Sequence, residues 1–144
     1  MEPTDWLYPI NPAGKYALTS TGTGVETEVS REALLADLER NPGAVDPWIL
    51  NRGFRIMGPG DRVWIYATRP HQAICALATA VRVYQDKKGL WQVDLSWDLA
   101  ATRTLMAEPI PRSRFGQIPQ VAAVRADATT RRVLAEWLGN HGGI

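Results

Sequence analysis

The chain has 144 residues, of which 45% are apolar and 22% charged, with a formal net charge of +1. These values describe one globular domain, expected to span 1–144, and disfavour disorder, collagen and coiled coil. The lone Cys75 excludes an intrachain disulfide and a thiolate metal cluster.

In chain order, Trp6 to Ile10 is a short apolar and aromatic run that predicts a first strand, ended by the turn residues Asn11-Pro12-Ala13-Gly14. Residues 19–24 read Thr-Ser-Thr-Gly-Thr-Gly, a polar loop without the glycine spacing or the lysine of a phosphate-binding loop. Ser30 as a cap, Ala33, Leu34 and Leu38 on one face, and Asn41-Pro42-Gly43 as a stop predict a helix over 31–40. Asp46-Pro47-Trp48-Ile49-Leu50 reads as loop running into a short helix or turn. Gly58-Pro59-Gly60-Asp61 is a turn that launches a strand over 62–68. After a loop at Arg69-Pro70-His71-Gln72, residues 73–85 predict a long, bent strand. A hairpin turn at Asp86-Lys87-Lys88-Gly89 follows. Trp91, Val93, Leu95, Trp97 and Leu99 then alternate with Gln92, Asp94, Ser96 and Asp98, one apolar and one polar face. Ile110 lies between Pro109 and Pro111, an edge or a loop. Val121 to Arg125 reads as a last short strand. Asp127 caps a final helix over 128–138, with Val133, Leu134, Trp137 and Leu138 as its stripe and Gly139 as its end. Strand, helix, strands in hairpin succession and a terminal helix predict an α+β fold, with a mixed or antiparallel sheet curling into a small barrel.

Charge is unevenly distributed. Residues 1–50 hold three basic groups against eight acids, and residues 51–144 hold thirteen against seven. Arginine outnumbers lysine 13 to 3, and guanidinium suits bidentate contact with phosphate, so an anionic partner on one side is permitted. The longest nearly unbroken apolar stretch, Ala73 to Val81, is too short for a helix across a bilayer core of about 30 Å. The acidic start, Met1-Glu2-Pro3-Thr4-Asp5, does not read as a secretory signal. A cytoplasmic monomer without membrane association is the expectation.

Familiar catalytic signatures such as HExxH, CxxC, GxSxG and GxGxxG after a strand are missing, and no cofactor or metal pattern stands in their place. His71 lies in a loop and His141 in a glycine-rich C-terminus. Asp94 and Asp98 share a strand face, but four residues of strand separate them by about 13 Å. That is beyond the roughly 5–9.5 Å of paired catalytic carboxylates. The unusual feature is six tryptophans. Trp64 and Tyr66 share a strand face with Arg62 and Thr68, mixing aromatic walls with polar groups as a base-binding site requires.

Several segments together resemble the EVE domain, a member of the PUA-like superfamily. They are Trp6-Leu7-Tyr8-Pro9-Ile10-Asn11-Pro12, then Trp48, Asn51, Arg52 and Met57 ahead of Gly60-Asp61, and the strand Arg62 to Thr68. The small-residue strand from Ala73 and the region from Pro111 through Phe115-Gly116-Gln117 follow in order. The resemblance covers about residues 5–138. It implies a β-barrel flanked by helices and a pocket for a flipped, modified base, methylated or hydroxymethylated, in DNA or RNA, without catalysis. On this reading Trp48, Tyr66 and Trp97 wall the pocket, Asn11, Asn51, Arg52 and Thr68 supply its polar groups, and Arg112 and Arg114 touch phosphate. Two alternatives stay open: a small-molecule or peptide binder on the same barrel, and a small hydrolase or nuclease using His71.

Overall fold

A computed structural model describes residues 3–10, 15–17, 26–28, 31–40, 43, 45–50, 57–67, 71–85, 87, 89, 91–117, 119 and 123–141. At 10, 15–17, 26–28, 31–34, 37 and 46–50 the description covers the backbone alone. The strands are β1 (Asp5–Ile10), β2 (Lys15–Ala17), β3 (Glu26–Glu28), β4 (Val45–Leu50), β5 (Arg62–Ala67), β6 (Ala73–Gln85), β7 (Trp91–Trp97), β8 (Ile110–Pro111) and β9 (Val124–Arg125). The helices are α1 (Arg31–Arg40), α2 (Leu99–Ala107) and α3 (Ala128–His141), and Arg112–Arg114 form a 3-10 turn.

Six strands lie in the order β4-β7-β6-β5-β1-β9, and β8 joins as a seventh on the N-terminal end of β6. The pair β1–β5 is parallel and the other pairs of this sheet are antiparallel, so the sheet is mixed. β2 and β3 form a separate two-stranded ribbon. The α+β class holds. The expected barrel does not: β4 and β9 remain the two ends of an open sheet. Closure would require these edges to pair. Instead the sheet buries its two faces separately, with helices against them.

Alternation along β5 divides the core. Val63, Ile65 and Ala67 fall in one cluster with Trp6, Tyr8, Leu38 of α1, Met57, Val93 and Leu95. Trp64 and Tyr66 fall in the other with Leu7, Ile74, Leu105 of α2, Ile110, Phe115 and the α3 residues Val133, Leu134 and Trp137. Period-two side-chain direction in β5 produces this split. Val93 and Leu95 are buried as expected, and Trp91 and Leu99 are partly buried against the same cluster. α3 docks through Val133, Leu134 and Trp137, also as expected, and the Trp137 ring meets Trp64 edge-on at 5.7 Å.

Three local expectations need correction. Val45–Leu50 is a strand, not a turn or helix: it pairs antiparallel with β7 as an edge, where Pro47 is tolerated because one side of the strand needs no donor. The alternation of β7 stops at Trp97 and does not continue to Leu99. The chain leaves the sheet at Asp98, whose carboxylate accepts from Ala101 N at 2.9 Å and caps α2, a helix the periodicity concealed. α3 runs past Gly139 to His141, whose ring stacks on Trp137 with centroids 4.4 Å apart.

Candidate functional site

The central strand pair is stitched by two buried carboxylates. Asp61 closes the turn after Gly60, whose φ of +92° suits the glycine position of a type II turn. Its Oδ2 accepts from Trp6 Nε1 at 3.1 Å and Gly58 N at 2.9 Å, and its Oδ1 from Thr4 N at 3.0 Å. Asp5 answers from β1. It accepts from Arg62 Nε at 2.7 Å, Arg62 Nη2 at 3.2 Å and Trp64 Nε1 at 2.9 Å. The parallel register that sets Asp5 beside Arg62 and Leu7 beside Trp64 makes this possible. The mixed polar and aromatic face of β5 is therefore tied inward, with Arg62 and Trp64 both donating to Asp5.

Tyr66, one step further along β5, is 1% exposed. Its ring meets Phe115 edge-on at 6.2 Å. Across the sheet Tyr66 pairs with Ile74, and Ile74 pairs with Ile110 of β8. β8 leads directly into the 3-10 turn. Arg112 N donates to Gln72 O at 3.0 Å, and Phe115 N and Gly116 N both donate to Arg112 O. Gln72 holds a φ of +49°, uncommon for a residue with a side chain. This corner brings Tyr66, Phe115 and Arg112 together. Burial pushes the Tyr66 phenol above its ordinary value, and the Arg112 guanidinium opposes part of that rise. The phenol is consequently protonated at neutral pH and able to donate. The Arg112 Nε is buried without a hydrogen-bond partner. No carboxylate forms an ion pair with Arg112 among the described residues, whereas Arg62, Arg82, Arg103 and Arg114 each have one.

The structure distributes the expected pocket residues differently from the sequence reading. Tyr66 belongs to the α3 side of the sheet, and Trp97 packs partly buried against the cluster on the opposite side. These two cannot wall one cavity, because the sheet lies between them. Trp48 sits on β4 opposite Val93, with its backbone alone described. Asn11, Asn51, Arg52 and Thr68 lie outside the described residues. Arg112 is half-buried at the corner, and Arg114, in the same turn, is exposed with Nη2 4.0 Å from Glu136 Oε2. His71 is a half-buried turn residue ahead of Gln72, and Cys75 is buried in the first cluster. Asp94 accepts from the Tyr84 hydroxyl at 3.0 Å and pairs with Arg82, so it is neither solvated alone nor partnered with Asp98. Sequence reasoning missed Phe115 as a neighbour of Tyr66 and missed the carboxylates Asp5 and Asp61. Their signal was an acid at the start of each of two tryptophan-bearing strands. Among the described residues no group of three or more His, Cys, Asp or Glu could hold a metal ion, and no helix is long and apolar enough to cross a membrane.

No family model and no curated protein matches the chain. Solved structures do match over nearly its whole length. Protein Atu2648 from Agrobacterium tumefaciens is 14% identical with a TM-score of 0.56, covering 93% of this chain and 92% of that one. The protein named ASCH from Zymomonas mobilis is 13% identical with a TM-score of 0.51, covering 92% and 94%. Rpa0253 from Rhodopseudomonas palustris is 17% identical with a TM-score of 0.50, covering 94% and 93%. At these identities the likeness concerns fold. The chain shares the fold of the Zymomonas mobilis ASCH protein, and no EVE family model matches it.

Proposed function

We propose that this chain is a nucleic-acid-binding module without a reaction of its own, which takes a base turned out of its stack and prefers a modified base. The observation that carries the reading is Arg112: a guanidinium without a carboxylate partner, its Nε desolvated, on a PUA-like fold beside the exposed Arg114. A desolvated, unpaired donor costs stability unless an acceptor arrives, and phosphate oxygens are the acceptors a guanidinium fork suits best. Trp97 keeps partial exposure, but on the opposite face of the sheet, so it is no part of the Arg112 corner.

The test is fluorescence anisotropy with short 5′-phosphorylated RNA and DNA strands, each with an unmodified, a methylated or a hydroxymethylated base. Binding that weakens with salt and favours a modified strand is expected. Reversing Arg112 and Arg114 to Glu should flatten the slope of log affinity against log salt by about 1 to 2 units, at roughly 0.7–0.9 per phosphate contact. Equal binding of modified and unmodified strands would remove base recognition. No binding to either nucleic acid would remove the reading.

A further inference from the structure

Between Pro109 and Leu134 the chain carries five arginines, Arg112, Arg114, Arg125, Arg131 and Arg132, and one acid, Asp127. That acid is occupied: its carboxylate accepts from Thr130 N at 2.8 Å and caps α3. Two ties hold the 3-10 turn against α3. Gln117 reaches the start of the helix, its Oε1 accepting from Asp127 N at 3.0 Å and its Nε2 donating to Arg125 O at 2.9 Å. Arg114 Nη2 lies 4.0 Å from Glu136 Oε2, further along the helix. The buried stripe of α3, Thr130, Val133, Leu134 and Trp137, fixes which side of the helix faces out. Arg132 and Glu136, four residues apart, share one outward side, with Cβ atoms about 5–6 Å apart. Arg131 falls on the other flank, about 140° from Glu136 around the axis at 3.6 residues per turn. Arg131 and Arg132 are both exposed, and among the described residues neither has a carboxylate partner.

We propose that Arg132 joins Arg114 as a contact for successive phosphates of a single-stranded nucleic acid, and that Glu136, between them, holds Arg114 until a phosphate replaces it. The proposal rests on the nucleic-acid reading and adds a path: the strand leaves the Arg112–Arg114 turn along the outer side of α3, toward the N-terminus of that helix. Arg132 stands one helical turn before Glu136, so the positive charge of Arg114 continues in that direction. Backbone phosphates are read at an open surface, and an exposed guanidinium fork supplies the donors without a cavity. The side chains of Arg114 and Glu136 are 54% and 60% exposed, so water screens their pairing and an incoming phosphate displaces a weak partner. The same carboxylate repels a strand lying beside it. Glu136 therefore opposes the two arginines that flank it.

The experiment uses the full chain and fluorescence anisotropy with one short single-stranded RNA and the DNA of the same sequence, each titrated over a series of salt concentrations. Three neighbouring charges on one helix should give three different results. Arg132→Gln should weaken binding and flatten the slope of log affinity against log salt by about 0.7, the value for one phosphate contact on a single strand. Glu136→Gln should tighten binding about two- to fivefold, because it removes a competitor for Arg114 and a repelling charge. Arg131→Gln removes the same charge as Arg132→Gln from the other flank and should leave affinity and slope as in the unaltered protein. All three side chains are exposed, and matching melting curves serve as the folding control. Equal weakening by Arg131→Gln and Arg132→Gln would assign the effect to net charge and overturn the path. Unchanged binding in Arg132→Gln, or no tightening in Glu136→Gln, overturns it as well. Each of these results leaves the nucleic-acid reading standing, since the unaltered protein still binds. If the unaltered protein binds neither strand, the reading and the path fall together.

Discussion

Asp61 ties its own turn, through Gly58 N, to the distant start of β1, through Thr4 N and the Trp6 indole, with three hydrogen bonds to one carboxylate. Asp61→Ala would strand these donors at a site where the residue is 9% exposed. With about 1–3 kcal/mol for each buried donor left unmade, the loss should be about 3 kcal/mol or more in urea unfolding. Asp61→Asn keeps one acceptor oxygen and should lose less. Tyrosines give the residue scale a pH dependence. Burial raises the phenols of Tyr66 and Tyr84 above 10.0, and for Tyr84 the hydrogen bond with Asp94 adds to the rise. A raised phenol means the native state holds its proton where the unfolded chain has released it. The contribution to stability is therefore whole below about pH 10 and declines as pH rises through the native pKa. Urea midpoints at pH 8 and pH 11 should show a steeper fall for the unaltered protein than for the Tyr66→Phe, Tyr84→Phe double variant. Equal falls would mean these phenols do not carry the alkaline sensitivity.

At the scale of elements, Asp98 is the junction that turns a strand into a helix. Its N–H donates to Leu77 O, its carboxylate caps α2, and Thr102 then engages Leu77 of β6 through its hydroxyl and the Leu77 N–H. α2 is thereby anchored where β7 ends and before β8 begins on the same edge of β6. Asp98→Ala should cost about 1 kcal/mol, a typical N-cap value, read as a lowered urea midpoint with an unchanged slope. A changed slope would mean that α2 had detached and not merely lost its cap. Asp98 also shows why α2 was hidden in the sequence. An acid at the fourth polar position of an alternating run looks identical whether it faces solvent or caps a helix, until the strand's end is known. β4 was hidden for the complementary reason. Asp46-Pro47 carries local turn chemistry, and only its position at the sheet edge makes it a strand.

For the whole molecule, the open sheet depends on helices to cover what a barrel would have closed upon itself. α3 covers the face bearing Trp64 and Tyr66, and Trp137 makes its edge-on ring contact there. Trp137→Ala should cost about 3–5 kcal/mol, enough to unfold a marginal domain, seen as a large drop in melting temperature. A loss below about 1 kcal/mol would mean that α3 is peripheral to the core. The Arg112 corner lies on this same face, since Phe115 packs in the cluster that α3 completes. The candidate site and the terminal helix should therefore fail together in Trp137→Ala, while substitutions at Arg112 leave the melt in place.

Local signals determined β1, α1, β5, β6, β7 and α3 within a few residues at each end: apolar runs bounded by turn residues for β1, β5 and β6, alternation for β7, and caps with an apolar stripe for α1 and α3. They also determined the α+β class and marked the Gly60-Asp61 turn. Tertiary structure decided the rest. Whether Trp64 and Tyr66 form a ligand wall or a core depends on Asp5, 59 residues before Trp64, and on α3, which follows far along the chain. Whether Tyr66 and Trp97 share a pocket depends on which face of the sheet each takes, and pairing through β6 sets them on opposite faces. Arg112 reads in the sequence as one arginine among thirteen. Its distinction is a nitrogen that the fold encloses without an acceptor, and no local pattern encodes that absence in three dimensions.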